Sequence, residues 1–172
     1  MRTPLRVTVL AFLVLADCSF AVAQAADLGG TWRGVLAGGE ESANVEVEFS
    51  EAGYPIYSYT NNQGVARQVE LTTTGQKVEY VPAGGGVQRV IVESIVKQPG
   101  RVALSLAGSF EKASQGYLDQ QQETTMIEYV LVPQGLKMRV TSRSASHFGD
   151  KDMMVRGNPN ESVAEGILQK VR

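Results

Sequence analysis

Between residues 31 and 143, apolar and polar residues keep changing places in steps of two. Ala43, Val45, Val47 and Phe49 alternate with Asn44, Glu46, Glu48 and Ser50. Val102, Leu104, Leu106 and Phe110 alternate with Arg101, Ala103, Ser105 and Ser109, and Leu136, Met138 and Val140 with Lys137, Arg139 and Thr141. Successive side chains of a strand point to opposite faces, so this pattern describes strands with one face dry and the other wet. Weaker strands read at Thr31–Ala37, Pro55–Thr60, Val65–Thr73, Lys77–Val81, Arg89–Val96, Thr124–Val132 and Lys151–Arg156. Turn-forming residues separate the runs, at Gly38-Gly39, Ala52-Gly53, Asn61 to Gly64, Thr74-Gly75, Ala83 to Gly86, Pro99-Gly100 and Pro133 to Gly135. Connections this short join antiparallel neighbours, because a parallel crossover needs about a dozen residues or more. The expected fold is all-β, an antiparallel up-and-down meander closed into a barrel of about 8–10 strands.

Two stretches break the pattern. Glu111 to Glu123 is polar and glutamine-rich, without period, and reads as a long loop at a barrel mouth. In the tail Ser162 to Val171, Val163, Ile167 and Val171 fit either a helix face or a strand face. Gly166 weakens the helix, so a strand that closes on the first is expected.

The N-terminus has the form of an export signal. Arg2 and Arg6 precede an apolar run from Val7 to Ala16, and Ala23-Gln24-Ala25 supplies the small residues of a cleavage site. The run is shorter than the ~20 residues a membrane-spanning helix requires. Cleavage is expected after Ala25, which divides the chain into a signal (1–25) and one domain (26–172) in the periplasm or outside the cell. Cys18 lies in a lipobox-like Leu15-Ala16-Asp17-Cys18, but Asp17 occupies a position that normally holds a small residue. Cleavage removes the sole cysteine, so disulfides and thiolate chemistry are not expected of the mature chain. It also removes Arg2, Arg6 and Asp17, which takes 16 basic and 18 acidic residues to 14 and 17. A net charge of −3 offers nothing to nucleic acid, and no further apolar run implies a transmembrane segment.

Immediately after the signal stands Leu28-Gly29-Gly30-Thr31-Trp32-Arg33-Gly34, with the sole tryptophan. Gly30-x-Trp32 leading into a meander resembles the opening of lipocalins and the wider calycin group, and small exported bacterial domains of that shape. The resemblance implies that Trp32 plugs the closed end of a barrel beneath an arginine, for which Arg139, Arg143 and Arg156 are the candidates. Biotin sites of the avidin kind use several tryptophans, so the single Trp32 argues against biotin.

Catalytic and metal chemistry find little footing, and no enzyme, cofactor or metal is expected. Ser94-x-x-Lys97 and Ser109-x-x-Lys112 match a nucleophile pattern that needs a helix, whereas residues three apart on a strand face opposite sides. His147, the only histidine, stands near Asp150 and Asp152 and reads as part of a polar turn. Glu46 and Glu48 share a strand face and read as a solvated pair, balanced across strands by Lys137, Arg139 and Arg143. Gly84-Gly85-Gly86 lacks the Gly-Lys-Ser/Thr ending of a phosphate loop.

The aromatic residues give the positive sign. Tyr54, Tyr57 and Tyr59 cluster, Tyr57 and Tyr59 share a face, and Tyr80 follows about two strands later. On a lumen face these phenols would suit a small apolar or amphipathic ligand. They would equally serve to fill a small barrel, since eight strands enclose a space that side chains alone can occupy. The expected function is therefore non-catalytic binding of such a ligand. The alternative is a solid barrel acting through its loops on an envelope protein partner, as an interaction module or inhibitor.

Overall fold

A computed structural model describes residues 27–39, 41–114, 117–150, 154–157 and 159–171. The expected signal, its cleavage point at Ala25, Cys18 and Asp152 lie outside the described residues. Every regular element among the described residues is a strand. In order they are β1 (Gly30–Gly38), β2 (Glu41–Phe49), β3 (Ile56–Thr60), β4 (Ala66–Glu70), β5 (Lys77–Tyr80) and β6 (Val87–Gln98). Then follow β7 (Arg101–Ser114), β8 (Tyr117–Val132), β9 (Gly135–Asp150), β10 (Met154–Arg156) and β11 (Asn160–Lys170). Among the described residues no helix is long and apolar enough to cross a membrane.

All pairing is antiparallel, as the short connections require. The main sheet runs β2-β1-β11-β9-β8-β7-β6-β5, with β10 on β9, and β3 and β4 form a separate hairpin. At the β6–β7 hairpin Gln98 faces Arg101 across Pro99-Gly100. Pro99 fixes its own φ, and Gly100 takes φ +67°, which a residue with a Cβ rarely adopts. The tail is the expected strand: β11 pairs with β1, setting Lys170 opposite Trp32. Between β2 and β5, however, the described residues contain no ladder, so the hydrogen-bonded path is open there.

The sheet is nonetheless strongly curved. Three strands separate β2 from β8, and in a flat sheet the two would stand about 19 Å apart. Yet the rings of Phe49 on β2 and Tyr129 on β8 meet edge to face at 4.9 Å. The walls therefore curl until opposite sides touch. Leu28, Trp32, Leu36, Phe49, Leu71, Val92, Val102, Leu104, Tyr129, Leu136, Met138 and Leu168 form one buried cluster on the concave side.

Two expectations are corrected. Glu111 to Glu123 is no loop: its ends belong to β7 and β8, with Glu111 opposite Gln120 and Lys112 opposite Asp119. His147 lies within β9, between Gln120 on β8 and Arg156 on β10, and not in a turn. Both stretches belong to an arm that projects beyond the core. Its backbone is satisfied by neighbouring strands, while neither face is dry enough to impose alternation on the sequence.

The β1–β11 contact depends on missing side chains. A Cβ at Gly34 would stand 2.8 Å from both the Ile167 carbonyl and Leu168 Cδ2, and one at Gly166 would overlap the Val35 carbonyl oxygen. Gly166→Ala should therefore lower the free energy of unfolding by about 1–3 kcal/mol, the usual cost of overpacking. Gly84→Ala, at a position with open space around it, should leave stability unchanged in the same urea titration.

Candidate functional site

The registers arrange the concave face into rows that change character from one end to the other. At the Trp32 end lies Val102–Tyr129–Met138–Gly166, and next comes Leu104–Ile127–Val140–Ala164. The third row is Leu106–Thr125–Ser142–Ser162, and the fourth Gly108–Glu123–Ser144–Asn160. The first two rows are apolar, the third brings hydroxyls, and the fourth adds a carboxylate and an amide. Thr125 Oγ1 stands 3.3 Å from Ser142 Oγ and donates to Glu123 Oε1 at 3.1 Å, linking the two polar rows. The result is a wall with an apolar floor and, across β8, β9 and β11, a polar upper part, while the same rows continue on β6 and β5 as buried Val92, Val90 and Val78.

Three of the four candidate tyrosines meet at that upper part. Tyr57 and Tyr59 are alternate residues of β3, and Tyr57 packs against the core. Tyr80, at the end of β5, stacks on Tyr59 with ring centres 4.3 Å apart. The Tyr57 and Tyr80 hydroxyl oxygens are 3.3 Å apart and share a hydrogen. The Tyr57 phenol is pushed well above its ordinary value, first by burial, then by the Tyr80 hydrogen bond and the charges of Tyr80, Tyr59 and Glu123. The charge of Glu123, exposed on β8, is the smallest of these influences.

Tyr54 belongs elsewhere. It lies on the β2–β3 connection, with Lys97 Nζ 4.5 Å from its ring centre. Lys97 also donates to the Ala52 carbonyl. Tyr54, Lys97, Leu28, Gly53, Pro99 and Gly100 line an open pocket of about 560 Å³ at the Trp32 end.

Trp32 is buried in the floor, where its indole N–H donates to the Leu28 carbonyl at 2.8 Å. The cation beside it is not an arginine. Lys170 Nζ lies 5.6 Å from the ring centre. The reason is register. β11 is the strand next to β1, and Lys170 stands directly opposite Trp32. Arg139 and Arg143 alternate with buried Met138 and half-buried Val140 on β9, so they face outward, and Arg156 is exposed on β10.

The charged candidates also pair differently from expectation. Glu46 meets Arg33 on β1, and Glu48 accepts from Gln68 at 2.9 Å. Lys137 and Arg143 meet Glu165 and Glu161 of β11 at 3.5 and 2.8 Å. The acidic and basic rows lie on different strands and never face one another. Among the described residues no three His, Cys, Asp or Glu side chains gather to hold a metal ion.

Glu123, Thr125, Ser142 and Ser144 escaped the sequence reading. The signal was present in β8, where Gln121, Glu123, Thr125, Ile127 and Tyr129 lie on one face and grade from polar to apolar. No protein family model, characterised protein or solved structure matches the chain.

Burial also pushes the Tyr129 phenol up. Both raised phenols favour the fold while neutral. Their full contribution holds below the ordinary value of 10.0 and is lost as pH rises toward their higher folded values. Urea midpoints measured from pH 8 to 11.5 should fall above about pH 10, and the fall should be shallower in Tyr57→Phe.

Proposed function

We propose that the chain is an exported, lipocalin-like β-barrel that binds a small apolar or amphipathic ligand without transforming it. In this reading the β3–β4 hairpin supplies the stretch of barrel wall that the main ladder lacks, and export follows from the N-terminal signal. The observation that carries the proposal is the graded interior, in which an apolar floor gives way to Thr125, Ser142 and Glu123 opposite the Tyr57–Tyr59–Tyr80 cluster. Ligand sites are mostly apolar with a few placed polar groups, and this face has that composition. Trp32 then serves the floor, and the polar end receives the ligand's polar group. The site offers no nucleophile–base pair, so binding is the activity proposed.

One observation favours a second reading, an interaction module for an envelope protein. Tyr117, Phe148 and Val155 stand 48%, 38% and 49% exposed on the projecting arm. In that case the interior is structural and the arm does the binding.

Native mass spectrometry of protein purified from the envelope of its own cells should show a co-purifying small molecule. Titration with N-phenyl-1-naphthylamine should give saturable, blue-shifted fluorescence. Tyr80→Ala, which removes both the Tyr59 stack and the Tyr57 hydrogen bond, should weaken that binding about tenfold. Absence of saturable uptake, together with a partner whose capture is lost in Tyr117→Ser/Phe148→Ser, would favour the second reading.

A further inference from the structure

The seam between β2 and β5 is the place where the wall changes its means of support. Elsewhere among the described residues neighbouring strands are held by backbone ladders, up to the long β8–β9 pairing, interrupted only at the β6–β7 bulge after Val92 and between Gly34 and Ala37 of β1. The β3–β4 hairpin has its own ladder, from Ile56 opposite Glu70 to Thr60 opposite Ala66. Toward β2 it is joined by one isolated bridge, Phe49 to Pro55, close to its base. Beyond that bridge the contacts are between side chains. Gln68 donates to Glu48 at 2.9 Å, and Ser50 donates to Glu70. Toward β5 the hairpin rests on the Tyr57 and Tyr59 contacts with Tyr80, and the Asn62 amide donates to the Val81 carbonyl at 2.7 Å.

The two stems of the hairpin are firmly anchored. Leu71, only 2% exposed, sits in the core, and its amide donates to the Pro55 carbonyl at 2.9 Å. Gln76 braces the second stem. Its side chain accepts from the Thr72 amide and donates to the Glu70 carbonyl, while its own carbonyl accepts from the Val92 amide of β6. A rigid two-stranded unit with fixed stems and a side-chain-held body has the form of a flap.

We infer that the β3–β4 hairpin opens as one unit about its Pro55 and Leu71–Gln76 stems, and that ligand enters and leaves the interior through the seam it covers. Opening separates Tyr57 and Tyr59 from Tyr80 and frees Gln68 from Glu48, yet breaks almost none of the main ladder. The opening itself follows from how the hairpin is held. The ligand route rests on the binding function proposed above.

Two measurements on the full chain test it. In native-state hydrogen exchange, the ladder amides of 56–60 and 66–70 should exchange together, at least a hundredfold faster than the core amides of β7–β9. Equal protection would overturn the flap. For the route, Glu48→Cys with Gln68→Cys is made in a Cys18→Ser background, which leaves two thiols in the chain. They are joined by the short reducible crosslinker ethane-1,2-diyl bismethanethiosulfonate. Release of N-phenyl-1-naphthylamine should slow at least tenfold and recover on reduction. Ser105→Cys with Met126→Cys, opposed on the β7–β8 ladder, should leave release unchanged when crosslinked in the same way. Equal release from the crosslinked and reduced hairpin would overturn the route. If the wild-type chain takes up no probe saturably, the ligand-binding reading and the route fall together, while the exchange measurement still decides the flap.

Discussion

The pairing of β11 with β1 joins two parts of the chain that would otherwise be unconnected sheets. One is the N-terminal hairpin β1–β2, and the other is the run from β5 through β9. The contact sets Trp32 opposite Lys170 and Gly34 opposite Leu168, uniting residues from the two ends of the domain. It also closes the largest loop in the fold, so its entropy cost is met only once much of the meander exists. Close approach is what makes it worthwhile. Gly34 and Gly166 carry no side chains, which lets Leu168 sink fully into the core. With that contact in place, Phe49 can reach Tyr129 and the sheet holds its curvature.

Apolar and polar side chains of β8, β9 and β11 are separated along the axis this curvature creates. Of the fully buried side chains, Leu136, Leu168 and Val102 belong to the floor and first row, while Val92 stands opposite Leu106 in the third. Large apolar residues in such settings cost about 2–5 kcal/mol each when truncated, so the lower rows set the fold's resistance to unfolding. Thr125, Ser142 and Ser144 are half-buried, on the face that carries Ile127 and Val140 nearer the floor, and Glu123 beside them is exposed. Polar side chains at half-buried positions contribute less apolar burial than the lower rows do. The three tyrosines are amphipathic: Tyr57 packs its ring against the core and shares a hydroxyl hydrogen bond with Tyr80, whose ring stacks on Tyr59.

How much of this could be read from the sequence followed from how dry each strand face is. β2, the first half of β7 and the first half of β9 alternate because one face meets the core, and they were legible. The arm from Glu111 to Glu123 was not, since both its faces are wet and strand pairing leaves no imprint on side-chain polarity. Pairing order was equally silent. That β11 inserts between β1 and β9 decides that Lys170, and not Arg139 or Arg143, stands beside Trp32. Spacing also grouped Tyr54 with Tyr57 and Tyr59, but the turn at Glu51 to Gly53 carries Tyr54 to the opposite end, beneath Lys97.

The open seam raises a problem that the sequence answers locally. Unpaired edges invite pairing with other chains, and natural sheets blunt them with charge or cover. β2 carries Glu41, Glu46 and Glu48, and β5 carries Lys77 and Glu79, so neither edge is a flat apolar strip. The β3–β4 hairpin covers what remains, with only five residues in each strand where β8 and β9 have sixteen. A longer hairpin with full ladders on both sides would join β2 to β5 continuously and fix that stretch of wall. A short one, docked through Gln68, Glu70 and the tyrosines, protects the edges while leaving the wall divisible at one place. Continuous pairing at that point would add stability, and the chain forgoes it in favour of side-chain contacts at the one place where β2 and β5 are not joined by a ladder.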